Sequence, residues 1–92
     1  MKENTVLQSR EEILKLAYEA RQQEVMHYQI NIDNYTLALE QMAALPQDER
    51  VELSGFAEQL RNLLASEKLE QKKSKIMLAV LHHQLGSEPC GT

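Results

Sequence analysis

Residues 9–50 read SREEILKLAYEARQQEVMHYQINIDNYTLALEQMAALPQDER, a segment that indicates one long helix followed by a sharp reversal. Ser9 and Glu12 form a capping box, in which the serine hydroxyl accepts from the N3 amide and the glutamate reaches back. No proline interrupts the chain before Pro46, whose missing amide hydrogen is tolerated in the first turn of a helix. We therefore predict helix 1 over about residues 9–45, with the chain folding back at Pro46.

The second half of the chain predicts a partner helix of similar length, helix 2, over about residues 47–85. Gly86 is typical of the position that follows the last helical residue, and a proline stands shortly beyond it. The fold class is therefore all-α, a long antiparallel helical hairpin. We expect a single domain over residues 1–86 and a disordered tail over residues 87–92.

Two positions leave a three-helix version of this fold open. The segment Asn31–Asn34 is rich in poor helix formers, so helix 1 can break there. Gly55 lies inside helix 2 and costs about 1 kcal/mol relative to alanine.

A heptad pattern predicts how the two helices meet. On helix 1 the residues at alternating steps of four and three are Leu14, Tyr18, Arg21, Val25, Tyr28, Ile32, Tyr35, Leu39 and Met42. On helix 2 the matching residues are Leu53, Phe56, Ala57, Leu60, Leu63 and Leu64, then Leu78, Leu81 and Leu85 after a polar interval. Folding at Pro46 pairs Ile32 with Leu60. It also predicts a polar register layer in which Arg21 is bonded by Glu67 and Gln71, fixing the alignment while adding little stability.

A second apolar pattern lies on the side of each helix opposite this seam. At about 100° per residue, these rear positions are Leu16, Met26, Ile30 and Leu37 on helix 1, with Val51, Leu69, Ile76 and Val80 on helix 2. A lone hairpin leaves such residues exposed, and contiguous exposed apolar residues indicate a binding partner. A homodimer that forms a four-helix bundle is the simplest way to cover them, so we predict self-association, together with an unidentified protein partner.

Composition sets wide bounds on function. The chain has 92 residues, a net charge of −4 and one cysteine, Cys90. The N-terminal residues lack the basic and apolar segments of a signal peptide, and no apolar run predicts a membrane span. The net negative charge argues weakly against nucleic-acid binding. We expect a cytoplasmic protein.

One pair of residues suggests metal chemistry. Glu24 and His27 form a Glu-x-x-His element, the spacing by which ferritin-like bundles place two ligands at one metal centre. A dimer could add carboxylates from Glu58, Glu67 or Glu70. The pair lies on a flank of helix 1, however, so a carboxylate and histidine metal site across a dimer is the alternative hypothesis and no metal or cofactor is predicted.

The remaining polar clusters favour ordinary structural roles. Lys68, Lys72, Lys73 and Lys75 are interleaved with carboxylates, which is typical of a solvated face. His82 and His83 suit the negative end of a helix dipole. The three tyrosines, Tyr18, Tyr28 and Tyr35, fall on the seam. Since no activated nucleophile or phosphate loop is evident, we predict a non-enzymatic protein-interaction module: an adaptor, chaperone, assembly subunit or inhibitor.

Overall fold

The computed structural model describes residues 9–87 and consists of three helices: α1 (Arg10–Ala43), α2 (Gln47–Glu52) and α3 (Ser54–Ser87). The helices α1 and α3 are each 34 residues long and pack against one another. They run antiparallel, since Arg10 near the start of α1 bonds Gln84 near the end of α3 at 2.7 Å. The all-α helical hairpin is therefore confirmed.

The start of α1 follows the capping box. The Ser9 hydroxyl accepts from the Glu12 amide at 3.1 Å, and the Glu12 carboxylate accepts from the Ser9 amide at 3.0 Å. The helix then continues without a break through residues 31–34. There the side chain of Asn31 donates to Glu67 at 2.8 Å and that of Asp33 accepts from Gln29 at 3.0 Å. Because these polar groups bond other side chains, they do not compete with the backbone of the helix.

Helix 2 is not continuous over residues 47–85, because it is interrupted at Leu53. That residue ends α2 with φ −99° and ψ 11°, its amide donating to the Glu49 carbonyl and its carbonyl accepting from the Ala57 amide. The interruption lies two residues before Gly55, which itself belongs to α3. The chain therefore has three helices, as the alternative expected, but the break lies at Leu53 and not at residues 31–34 or at Gly55.

The end of the second helix also differs from the prediction. The helix α3 continues through Gly86 to Ser87 instead of ending at Leu85, since Gly86 does not adopt the left-handed conformation of a helix-ending glycine. Ser87 is therefore helical. The rest of the predicted disordered tail, residues 88–92, lies outside the described residues, as do residues 1–8.

The short helix α2 shifts the pairing of α1 with α3. The reversal occupies residues 44–53, so its centre lies beyond Pro46. As a result, Arg21 lies against Ser74 instead of Gln71, and Gln71 lies against Val25 and Gln29. The predicted register was thus wrong by about one helical turn.

The core of the hairpin is small. Within residues 9–87 the buried apolar side chains are Leu14, Ile32 and Leu60, at 5–8% exposure, and none is fully enclosed. Two further buried residues, Gln71 and Ser74, are polar. The molecule measures 68 × 29 × 15 Å, which is one helix thick. Each long helix therefore has a packing neighbour on one side only.

Candidate interaction surfaces

The rear positions of both long helices are exposed. We define the α1 stripe as Leu16, Met26, Ile30 and Leu37, and the α3 stripe as Leu69, Ile76 and Val80. All seven side chains are 42–64% exposed. Because each stripe lies opposite the seam and the helices lie side by side, the two stripes point away from one another along opposite edges of the hairpin. Val51, on α2, is exposed as well.

A third apolar surface escaped the sequence prediction. We define the lateral patch as Phe56, Leu63 and Met77, all exposed, which recur at multiples of seven residues and so share one flank of α3. Phe56 and Leu63 were predicted to lie in the seam, but their neighbours Ala57 and Leu64 fill it instead. In the sequence, both residues of each adjacent pair are apolar, so the apolar face of α3 is wider than one packed helix can cover. That width was the sequence feature that could have predicted a second, exposed surface.

The lateral patch lies on the same flank as one group of polar contacts in the seam. Glu67, four residues after Leu63, accepts from Asn31 at 2.8 Å. Ser74, three residues before Met77, donates to the carboxylate of Glu24. Residues three and four apart are neighbours on a helix surface, so these contacts and the lateral patch face the same way.

Arg21 has other partners than those predicted. Its guanidinium donates to Glu24 at 2.6 Å and to the Ser74 hydroxyl at 3.4 Å, and it bonds neither Glu67 nor Gln71. Both Arg21 and Ser74 bond Glu24. The hydrogen bond from Ser74, followed by that from Arg21, lowers the pKa of the Glu24 carboxyl below its ordinary value.

Gln71 forms the other half of this polar section of the seam. Its buried side-chain amide donates to the Val25 carbonyl at 3.2 Å and to Gln29 at 2.9 Å. Arg21, Glu67 and Gln71 therefore do not bond one another: Arg21 bonds Ser74, Gln71 bonds Val25 and Gln29, and Glu67 bonds Asn31.

Tyr28 is half-buried beside this polar section. Burial, followed by the nearby carboxylates of Glu24, Glu70 and Glu67, raises the pKa of its hydroxyl. Its neutral form is therefore favoured in the folded protein.

The Glu24 and His27 element does not present a free pair of ligands. Glu24 is engaged by Arg21 and Ser74, while His27 is exposed. Of the other candidate ligands, Glu70 pairs with Lys73 at 3.0 Å. Over residues 9–87, no three side chains of the His, Cys, Asp and Glu types come together as a metal site would require.

The flank opposite the lateral patch carries shallow hollows along the seam. One of about 360 Å³ is lined by Gln22, Val25, Met26, Gln29, Gln71, Lys75 and Leu78. A neighbouring one of about 490 Å³ shares three of these residues and adds Tyr18, Ala79 and His82. The rings of Tyr18 and His82 lie 6.0 Å apart. This contact was missed because the predicted register placed Tyr18 opposite Ser74.

Comparisons with protein-family models, with curated proteins and with solved structures found no match to this chain. In the part of the chain that the structure describes, none of the helices combines the length and the apolar character that crossing a bilayer requires.

Proposed function

We propose that this protein is a non-enzymatic protein–protein interaction module that associates with itself and with a partner protein through the exposed faces of its hairpin. The observation that supports this most is the distribution of apolar side chains. Twelve large apolar residues between positions 9 and 87 are 42–66% exposed, whereas three are buried. A surface of this kind is typical of a chain whose apolar faces are covered by other chains.

The α1 and α3 stripes are the proposed contact surfaces. They follow the two outer edges of the hairpin, so one two-fold contact along an edge covers only one stripe in each copy. A second hairpin laid face to face would instead cover the lateral patch and build the four-helix bundle. Under this proposal the lateral patch joins two copies, and the stripes at the edges join these pairs to further copies and also bind the partner protein.

The dimensions of the hairpin are compatible with a stable dimer. A face about 68 Å long and 29 Å wide exceeds the area of about 800 Å² per partner that specific interfaces commonly bury. The polar section of the seam borders this face. Its Arg21 and Glu24 side chains are already bonded within one copy, so packing a second hairpin beside them leaves no unpaired charge in that pair.

The experiment that tests the module is affinity capture from a lysate of the source organism. Native protein is compared with the variant Ile30→Glu/Ile76→Glu, which places one charge in each stripe, and with the control Gln41→Glu/Gln59→Glu, which adds the same charges at exposed positions outside the stripes, the lateral patch and the hollows. We expect the native form and the control to capture one partner protein in a stoichiometric amount, and the stripe variant to fail to capture it. Equal capture by all three forms would contradict a role for the stripes.

A further inference from the structure

Charge is segregated between the two flanks of α3. The carboxylates of Glu67 and Glu70 lie toward the lateral patch and are engaged, the first by Asn31 and the second by Lys73. On the opposite flank Lys68, Lys72 and Lys75 follow one another at steps of four and three, and Arg61 lies one heptad earlier. We call these four residues, Arg61, Lys68, Lys72 and Lys75, the basic stripe.

The basic stripe is exposed and its lysines are not neutralised within the hairpin. Among the described residues, no carboxylate forms an ion pair with Lys68, Lys72 or Lys75. The chain as a whole carries a net charge of −4, so this concentration of unpaired positive charge is local and opposite in sign to the rest of the molecule. It attracts acidic groups to one flank of one helix.

An apolar groove lies beside Lys75, at one end of the basic stripe. The two hollows described above share Val25, Lys75 and Leu78, and so form a continuous depression in which Lys75 is the only residue of full charge. A third hollow of about 350 Å³ lies at the turn end, with Leu39 and Ala57 in its lining beside Arg50 and Arg61. No carboxylate lines any of the three.

Small side chains keep this flank open to another backbone. On the same flank α3 carries Ala65, between Arg61 and Lys68, and Ala79, one turn after Lys75, and both are exposed. Alanine at these positions allows a second helix to approach closely, while lysine stems can lie along its apolar side chains with the ammonium groups at the rim. The arrangement is an apolar floor with one positively charged border.

We propose that this groove binds an amphipathic helix of a partner protein, one that carries apolar side chains on one face and glutamates or aspartates along the border of that face. The apolar face would pack on Val25, Leu78 and Ala79, and the carboxylates would pair with the basic stripe. An acidic helix fits the groove better than nucleic acid does, because its floor is apolar and its two aromatic rings, those of Tyr18 and His82, contact one another.

The test uses defined probes. A fluorescein-labelled synthetic peptide of about 20 residues, with leucines at heptad positions flanked by glutamates, is titrated with the full chain and followed by anisotropy. A second peptide has every glutamate replaced by lysine, and a third probe is a single-stranded oligonucleotide. We expect the acidic peptide to bind most tightly, and its binding to weaken as the ionic strength rises from about 0.05 to about 0.5 M.

The matched protein variants are provided by neighbouring lysines. The triple variant Lys68→Glu/Lys72→Glu/Lys75→Glu should weaken binding of the acidic peptide by more than about tenfold, since loss of each rim charge costs about a factor of two and its reversal costs more. Lys73→Glu, which changes a lysine on the other flank, should change it by less than about twofold. The milder Lys68→Gln/Lys72→Gln/Lys75→Gln variant gives the same direction of effect without the reversed charge, and Ala79→Trp should block binding by filling the groove.

Three results would overturn the inference: equal affinity for the acidic and basic peptides, equal losses in the triple variant and in Lys73→Glu, or tighter binding of the oligonucleotide that the triple variant abolishes. The last would make the basic stripe a nucleic-acid contact. Self-association is judged separately, because the triple variant should keep the native mass in solution and Ile30→Glu/Ile76→Glu should keep its affinity for the acidic peptide.

Discussion

Between residues 67 and 80, the face of α3 that packs on α1 (the inner face) buries polar side chains, and the opposite, outer face exposes apolar ones. On the inner face the most buried side chains are Gln71 and Ser74, at 7% and 3% exposure. On the outer face Leu69 and Ile76, each two residues away, are 54% and 64% exposed. Near the turn, by contrast, the inner face of α3 is apolar and buries Leu60.

This difference shows that one helix divides two tasks along its length. The turn-proximal part supplies the apolar contact that closes the hairpin, since burial of a leucine side chain contributes about 1.5–3 kcal/mol. The polar section adds little net stability, because desolvation offsets its hydrogen bonds, but it restricts the alignment of α1 and α3. Apolar residues that do not contribute to the hairpin are then available on the outside.

The largest effect we predict separates a buried leucine from an exposed one. Leu60→Ala should reduce the free energy of unfolding by about 2–5 kcal/mol, because it removes one of the three buried apolar side chains found between residues 9 and 87. Leu69→Ala should change it by less than about 0.5 kcal/mol in dilute solution. Urea unfolding followed by circular dichroism measures both. Equal losses at low protein concentration would contradict the division between the two faces.

The next prediction concerns the pH dependence of the polar section. The pKa of Glu24 is lowered, first by its hydrogen bond with Ser74, so the stability it contributes is present above the ordinary pKa of a glutamate and is lost as the pH falls toward its lowered value. Ser74→Ala should raise the pKa of Glu24 in an NMR titration and reduce the loss of stability in acid.

Ser66→Ala is the matched control for that experiment, since Ser66 is an exposed serine on the same helix. It should leave the titration of Glu24 unchanged. An unaltered pKa in Ser74→Ala would show that the interhelical hydrogen bond does not hold the carboxylate.

A smaller effect on stability is expected where a buried amide is replaced. Gln71→Leu removes the hydrogen bonds with Val25 and Gln29 but adds apolar burial, so the free energy of unfolding should change by less than about 1 kcal/mol. The alignment should become less unique. Spin labels can be attached to cysteines introduced at Gln22 and Lys72 in a Cys90→Ser background. The distribution of distances between the labels should be broader in Gln71→Leu than in the native protein. An equally narrow distribution would mean that the apolar contacts alone fix the register.

The last prediction, an effect of similar size, concerns a residue outside the section compared above, in the first turn of α3. Gly55→Ala should stabilise the protein by about 0.4–1 kcal/mol, because the added methyl group meets no atom within 4 Å and alanine restricts the unfolded chain. Thermal unfolding measures the gain. A loss of stability would indicate that the junction after Leu53 needs the conformational freedom of glycine.

Local signals allowed much of the fold to be predicted. The capping box fixed the first helical residue, and the heptad pattern identified Leu14, Ile32 and Leu60 as inward-facing. The register was not predictable in the same way, because it depends on how many residues the reversal consumes, and Leu53 carries no local signal for the break that creates α2. Because the length of the reversal was misjudged, Gln71 was predicted as the partner of Arg21, whereas the structure shows Ser74.

The candidate surfaces show a similar limit. Helical periodicity was enough to predict which side of each helix the stripes occupy, since that needs no register. Periodicity wrongly placed Phe56 and Leu63 in the seam, because the apolar face of one helix does not show whether one neighbouring helix or two will cover it. The groove beside Lys75 could not be found from one helix at all, since its floor is shared by both.

The central claim is that the exposed stripes are contact surfaces between chains, and the mass of the protein in solution tests it most directly. The comparison is made by sedimentation equilibrium of native protein, of Ile30→Glu/Ile76→Glu and of the control Gln41→Glu/Gln59→Glu, with helicity checked by circular dichroism. We predict that native protein and control sediment as oligomers and that the stripe variant sediments as a helical species of lower mass. Equal masses for all three would contradict the claim.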